Sequence, residues 1–291
     1  MAMPMPVSSS FPSLKKQPVM GNNAPHWLSL EIWGTPQMTH DIGMRDLLPI
    51  VRTDAFRPWI ASWFFVRYWD SLPQMRFRIL VHSLKQQVIK EHIISHMQPY
   101  LEPRKLWKIQ WKPYVPEFER YGVLNMETVL QLFHLQSVHA HGLFGERLSE
   151  EKRLLRLANL WPRLLAAVYP DCAKQHRFIK EQQKFFKDRL EFSERSRKAI
   201  SKAYRELNPK IILPQDTEKI NVERQYPLGQ TMAKGLSDIE GDTQTSKAQI
   251  IRDILHMHVN KCFLTDHGQF EYLLYEFLDR AYASQMARMG K

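Results

Sequence analysis

Short apolar segments of alternating polarity dominate the first 115 residues of the chain. Trp27 to Trp33 alternates well enough to predict a strand, which ends at the turn-forming residues 34–36. Phe64 to Val81 predicts two strands around a turn, and Leu106 to Tyr114 predicts a further strand. Helical spacing predicts helices over 44–61 and 84–97 that connect these strands.

The pattern becomes helical from Met126 onward. We expect helices over 150–206, interrupted by a turn at 169–171, and two closing helices over 246–263 and 268–287. The segment 209–245 mixes Pro, Gly, Asp and Thr, so we expect a long connection with little regular structure there. Strands followed by helices indicate an α+β fold, in which a strand-rich N-terminal half forms a sheet and packs with a helix-rich C-terminal half.

The N-terminal segment differs from the rest of the chain. Residues 1–25 are rich in Met, Pro and Ser and lack the continuous apolar stretch of a signal peptide, so they predict a disordered tail. One domain is then expected over 26–291. Its hydrophobic fraction of 44% is that of a soluble protein with a core, and no apolar run approaches the roughly 20 residues that cross a bilayer.

The chain is basic, with a net charge of +11. Such a surface attracts nucleic acid, acidic lipid or an acidic peptide. The basic residues are spread along the sequence without a nucleic-acid-binding motif, so direct tRNA binding is not expected. The cysteines, Cys172 and Cys262, are far apart and lack a CxxC spacing, which predicts neither a disulfide framework nor a zinc site and favours a reducing, cytoplasmic setting.

The candidate chemistry begins with two arginines on a predicted strand. Arg76 and Arg78 are two residues apart, so their guanidiniums project from one face of the sheet. Two adjacent guanidiniums repel unless an anion lies between them, and a carboxylate or a phosphate fits their planar fork. A solvated strand face is the alternative.

Two further segments carry ionisable groups. Glu117 and Arg120 belong to a charged run between a strand and a helix, which predicts a position at a sheet edge or a cleft mouth. In the helix over 246–263, His256 and Asn260 share a face with buried positions, whereas His258 points elsewhere. His256 is then either a core histidine with its hydrogen bonds satisfied or an acid–base group.

Other site types are not predicted. The two histidines of His139-Ala140-His141 diverge on a helix, so they indicate no metal site. The sequence contains no P-loop, GxGxxG or GxSxG motif, and no nucleotide cofactor or serine hydrolase chemistry is expected.

Taken in order, these segments resemble the C-terminal domain of lantibiotic dehydratases, also called the thiopeptide-type bacteriocin biosynthesis domain. The family motifs are an opening strand, FFxRYxDPxPHxRxR, ExxRYGG and HMxxNR. Their counterparts are Trp27 to Trp33, Phe64 to Ile79, Glu117 to Gly122 and His256 to Lys261. The chain departs from the motifs at Ser71, Gln74, Val123 and Lys261.

The resemblance implies a lyase without a cofactor, in a stand-alone form. A separate glutamyl-tRNA-dependent protein esterifies Ser or Thr of a precursor peptide with glutamate, and this domain expels the glutamate to leave a dehydroamino acid. The implied catalytic residues are His256, Arg120 and Glu117, and the implied substrate-binding residues are Arg76, Arg78, Tyr121 and Asn260. Whether Glu117 orients an arginine or acts as a base stays open.

Two alternatives remain at this point. A relative of the same fold catalyses the formal [4+2] cycloaddition that builds the pyridine ring of thiopeptides. A non-catalytic subunit that binds an acidic leader peptide through its basic surface is the other alternative.

Overall fold

A computed structural model describes residues 25–101, 105–190, 193–211, 213–214, 227–242 and 244–289. The predicted N-terminal tail lies outside these residues, apart from Pro25 at the start of the first strand. The chain divides into two compact units, Met1–Pro116 and Glu117–Lys291. The N-terminal unit contains the strands and the C-terminal unit is helical, which confirms the α+β fold class.

The N-terminal unit is built on one antiparallel sheet. Its strands lie in the order β2-β3-β1-β4, and β2 and β3 form a hairpin around residues 70–72. All of the predicted strands are confirmed. Their bounds are β1 Pro25–Trp33, β2 Ile60–Trp69, β3 Pro73–His82 and β4 Lys108–Pro113.

The register gives the sheet two different faces. Arg76 lies opposite Glu31 of β1, and Arg78 lies opposite Ser29, so both arginines project from one face, as predicted. The intervening Phe77 and its neighbours on the other face are buried and apolar. The sheet therefore buries an apolar face while its second face carries polar and aromatic groups.

The helix predicted over 44–61 is wrong at both ends. Helix α1, Pro36–Asp41, begins earlier because the Thr35 side chain accepts a hydrogen bond from the Met38 N–H and Pro36 suits the first turn. A π-helical stretch, Ile42–Leu47, leads into α2, Leu48–Arg52. The apolar run that follows is the buried strand β2, and periodicity alone does not distinguish a short buried strand from a helix.

Helix α3, Gln86–Met97, confirms the predicted connection between β3 and β4. In the π-helical stretch, Gly43 allows a close approach to β3, since a Cβ there would lie 2.7 Å from Sδ of Met75. This packing covers the apolar face of the sheet.

The C-terminal unit begins with α4, Phe118–Tyr121, and α5, Met126–Gly145. The helices predicted over 150–206 and at the end of the chain are confirmed. They are α6 Glu150–Val168, α7 Cys172–Lys187, α8 Glu194–Leu207, α10 Lys247–Cys262 and α11 His267–Met289.

The connection predicted over 209–245 is wrong in part, because it contains helix α9, Pro227–Ser237. Its residues Met232 and Leu236 are each only 1% exposed. A Cβ at Gly235 would lie 3.0 Å from Leu132 of α5, so close packing on α5 stabilises a segment whose composition favours a loop.

Helix α10 is the most deeply buried element of this unit. Every residue from Met257 to Cys262 is buried, and the helix packs on α5 and α11. Among the described residues, the helices are too short or too polar for any of them to cross a membrane.

Candidate functional site

Arg76 is held by carboxylates of its own unit. Its Nε lies 3.2 Å from Oε1 of Glu31, and its Nη2 lies 3.5 Å from Oδ2 of Asp70. The guanidinium also lies 3.7 Å from the centre of the Tyr68 ring. Gln74, which stands at the family's histidine position, donates to Asp70 and lies 3.5 Å from the Arg76 Nε, so it links the two.

Arg78 has a different environment. The residue is only 6% exposed, and its guanidinium lies 4.2 Å from the centre of the Tyr114 ring and 5.2 Å from that of Phe64. Within the part of the chain that the structure describes, its side chain has no hydrogen-bond or ion-pair partner, and its buried Nε lacks an acceptor. A buried guanidinium without a counter-ion is unfavourable, so this side chain is suited to receive an anion.

The nearest acidic residue on this face does not supply that anion. Glu31, which is 3% exposed, pairs with Arg76 and, at 2.9 Å, with Lys112. The two sequence-predicted arginines thus differ: the charge of Arg76 is balanced by side chains of the protein, whereas that of Arg78 is not.

In the C-terminal unit, Arg120 lies between two carboxylates. Its Nε donates to Oδ2 of Asp253 at 2.8 Å, and its Nη1 donates to Oε2 of Glu117 at 3.2 Å. Burial opposes the charged form of Arg120, but the hydrogen bonds to Asp253 and Glu117 hold its pKa above the ordinary value. The short helix α4 therefore presents a fixed, permanently charged guanidinium.

His256 is paired with a buried carboxylate. Its Nδ1 lies 2.6 Å from Oε2 of Glu271, whose side chain is fully buried, whereas the His256 side chain is 40% exposed. Burial raises the pKa of Glu271, and the contact with His256 partly opposes that rise. A carboxylate bound to Nδ1 fixes the orientation of the ring and leaves Nε2 as the nitrogen available to a substrate.

The two α10 histidines point in different directions, as predicted, and contact different helices, but their burial differs from the prediction. His256 is on the partly exposed side of the helix, while His258 is completely buried. The periodicity misled because α10 is enclosed on nearly all sides, so its apolar positions do not mark a single buried face.

The other two predicted binding residues are buried. Tyr121 is 1% exposed, and its ring packs edge to face on Phe133 while the Arg120 guanidinium lies 5.4 Å from its centre. Asn260 is 6% exposed.

Asp253 and Glu271 lie outside the motifs that predict the other functional residues. A signal for them does exist in the sequence. Asp253 stands between Ile250 and Met257 on an apolar stripe of α10, and Glu271 shares an apolar stripe of α11 with Leu274. A carboxylate on an apolar stripe indicates a buried partner.

Comparison with known proteins identifies the family. The model of the family described as "lantibiotic biosynthesis dehydratase C-term" matches residues 27–282, which is most of the chain. The chain belongs to this family. No match was found in a search of curated proteins.

Several solved structures share the fold of this chain. The tRNA-dependent lantibiotic dehydratase MibB from Microbispora sp. 107891 is 17% identical, with a TM-score of 0.65, over 94% of this chain. The chain spans only 29% of the length of MibB.

Two other structures match over nearly their whole length. The pyridine synthase TbtD from thiomuracin biosynthesis is 13% identical with a TM-score of 0.66, and 89% of this chain covers 98% of TbtD. TsrL is 12% identical with a TM-score of 0.63, and 89% of this chain covers 96% of it. At these low identities, the matches show that the proteins share a fold.

Proposed function

We propose that the chain is a lyase that eliminates glutamate from glutamylated Ser or Thr residues of a precursor peptide. The proposal rests on membership of the dehydratase C-terminal family and on the arginine, carboxylate and histidine groups described above. Removal of the Cα proton forms the Cα=Cβ bond as the Cβ–O bond breaks. The electron pair of the broken bond leaves with glutamate, and the peptide retains dehydroalanine or dehydrobutyrine.

The observation that carries the proposal is the unpaired guanidinium of Arg78. A glutamyl ester brings one carboxylate to the enzyme, and the departing glutamate gains a second. Arg78 binds the carboxylate of the glutamyl group, with the Tyr114 and Phe64 rings holding its guanidinium in place. Arg76 projects from the same face, where Glu31 and Asp70 hold its guanidinium.

The groups of the C-terminal unit act on the proton and on the developing charge. His256 accepts the Cα proton, and Glu271 stabilises the imidazolium that forms. Arg120 stabilises developing negative charge. Since Glu117 accepts a hydrogen bond from Arg120, it orients the guanidinium rather than acting as a base. The burial of Tyr121 and Asn260 suits positioning of Arg120 and α10 rather than direct contact with the peptide.

The substrate is supplied by partners. The precursor peptide binds through its leader and its glutamylated core, and a separate glutamyl-tRNA-dependent protein attaches the glutamate. Because that donor is an aminoacyl-tRNA, the reaction takes place in the cytoplasm. The net charge of +11 favours an acidic leader.

The test uses the full chain and a synthetic peptide that carries glutamyl-Ser. Mass spectrometry should show loss of glutamate and formation of dehydroalanine without added metal, nucleotide or tRNA. Arg78→Ala should slow this conversion by about 10²–10³-fold, whereas Arg57→Ala, which removes an exposed arginine of the same unit, should leave it unchanged. A correctly glutamylated peptide that remains unchanged would contradict the proposal.

Pyridine-ring formation is the second candidate. It is favoured by the fold shared with TbtD, whose TM-score of 0.66 is at least as high as the 0.65 of MibB. A peptide that carries two dehydroalanines should then gain a macrocycle, and His256→Ala should have little effect. If both assays are negative and the peptide still binds, the chain is a peptide-binding subunit.

A further inference from the structure

A second cluster of ionisable groups lies in the interior of the C-terminal unit, apart from the His256–Glu271 pair. It consists of His139 on α5 and of His258 and Cys262 on α10. Nδ1 of His139 lies 2.9 Å from Nε2 of His258. One ring nitrogen of each histidine and the Cys262 Sγ all lie within 4.8 Å of one another. His258 and Cys262 are completely buried, and His139 is half-buried.

The arrangement has the features of a ligand set. His258 and Cys262 are four residues apart, so both side chains lie on one face of α10, and His139 completes the set from the neighbouring helix. Two imidazoles and a thiolate are the donors that bind soft transition-metal ions. From these contacts we infer that His139, His258 and Cys262 form a binding site for a thiophilic d¹⁰ metal ion, either Zn²⁺ or Cu⁺.

The separation of the two nitrogens requires only a small adjustment on binding. With Zn–N distances of about 2.0–2.1 Å, two nitrogens of a tetrahedral site lie about 3.3 Å apart. The present 2.9 Å is the separation of two nitrogens that share a proton. The ion replaces that proton, which moves to the second nitrogen of one ring, and the Cys262 thiol proton passes to solvent.

The protonation state also suits a metal. Burial, together with Arg156, lowers the pKa of His139 to about 4, and burial lowers that of His258. Both imidazoles are therefore neutral at neutral pH, the form that ligates metals.

The surrounding charges bear on which ion binds. Lys261 lies close enough to His258, and Arg153 close enough to Cys262, for their charges to interact. Cations stabilise a thiolate but oppose a divalent ion. A Cu⁺ site with one thiolate carries no net charge, whereas a Zn²⁺ site carries a single positive charge, so the surroundings favour Cu⁺ over Zn²⁺.

Occupancy of this site would link α5 to α10. Helix α10 also carries Asp253 and His256, so the ion would hold the helix that presents these groups. Metal binding at this site is independent of the proposed elimination, so it can be tested on this protein whatever reaction the protein catalyses.

The experiment uses the full chain after treatment with a chelator and a thiol reductant. Zn²⁺ and, under anaerobic conditions, Cu⁺ are titrated in separate arms against a chromophoric chelator. We expect about one ion per chain in at least one arm and an increase in the thermal midpoint of unfolding. Co²⁺, used as a spectroscopic probe, should give a thiolate charge-transfer band in the near ultraviolet.

The variants separate the site from adventitious binding. Cys262→Ser should lower the metal affinity by more than about 100-fold, because loss of a residue that only supports a ligand already costs up to that much. The same substitution should abolish the cobalt band. Cys172→Ser, at the second cysteine of the chain, should change neither. His139→Gln provides a second test at a half-buried position if Cys262→Ser does not fold. Absence of binding in both arms, or binding that persists in Cys262→Ser or His139→Gln, would overturn the inference.

Discussion

Replacing Glu271 with glutamine keeps the shape of the side chain and an oxygen that accepts from Nδ1 of His256, but it removes the negative charge. The pair is short, at 2.6 Å, and its carboxylate is fully buried. A hydrogen bond to a charged group contributes about 1.5–3 kcal/mol. If that difference is realised only when His256 becomes an imidazolium, Glu271→Gln should lower kcat by about 10- to 150-fold and leave KM unchanged.

The assay is release of glutamate from a glutamylated peptide, followed over a range of peptide concentrations. Glu276→Gln is the matched control, because Glu276 is on the same helix and pairs with Arg280 rather than with His256. It should leave kcat within about threefold of the wild-type value. An unchanged kcat in Glu271→Gln would refute the role assigned to this carboxylate.

The same substitution predicts a change in the pH dependence of stability. Burial raises the pKa of Glu271 above its ordinary value of 4.5, so the folded state holds this proton more tightly than the unfolded state does. The contribution of Glu271 to the free energy of unfolding therefore falls as the pH rises from 4.5 through the raised pKa. In urea titrations, the stability of Glu271→Gln relative to wild type should increase as the pH rises above 4.5. A difference that does not change with pH would contradict this explanation.

Three further predictions concern the N-terminal sheet, a turn and the buried cluster. Arg76→Ala should lower the free energy of unfolding by about 1–3 kcal/mol in urea titrations, because Glu31 would lose one of its two cationic partners, whereas Arg57→Ala should change it by less than about 0.5 kcal/mol. Gly122→Ala should destabilise by about 1–2 kcal/mol, since its φ is +77° and its new Cβ would lie 3.1 Å from Asp242; Gly142→Ala, in open space on α5, should stabilise by about 0.5–1 kcal/mol. Equal effects at the two glycines would contradict the strain argument. Added Zn²⁺ or Cu⁺ should raise the thermal midpoint of wild type but not that of Cys262→Ser, and equal shifts would argue against the buried site.

The strands and the shared face of Arg76 and Arg78 could be predicted because period-two alternation and turn residues are local signals. The partners of these arginines could not. Glu31 comes from β1, and its position opposite Arg76 depends on the register of a strand that is distant in the sequence. The family resemblance points to both arginines. It does not indicate that Arg76 pairs with carboxylates whereas Arg78 has no carboxylate partner among the described residues.

The helical half shows the limit of periodicity more clearly. An apolar stripe identifies one buried face, but α10 is enclosed on nearly all sides, so its spacing does not indicate that His258 is completely buried while His256 is partly exposed. The spacing of His139 and His141 likewise does not predict the contact of His139 with His258, because His258 is on another helix. Pairings between helices depend on how the helices pack, which spacing within one helix does not determine.

The most direct test of the proposed elimination combines Arg78→Ala with glutamate release. Purified wild-type protein should convert a glutamyl-Ser peptide to dehydroalanine and release one glutamate for each residue formed. Arg78→Ala should reduce kcat/KM by about 10²–10³-fold, with partial recovery on adding guanidinium ion. Full activity in folded Arg78→Ala would contradict the carboxylate-binding role, and absence of glutamate release by the wild-type protein would contradict the proposed reaction.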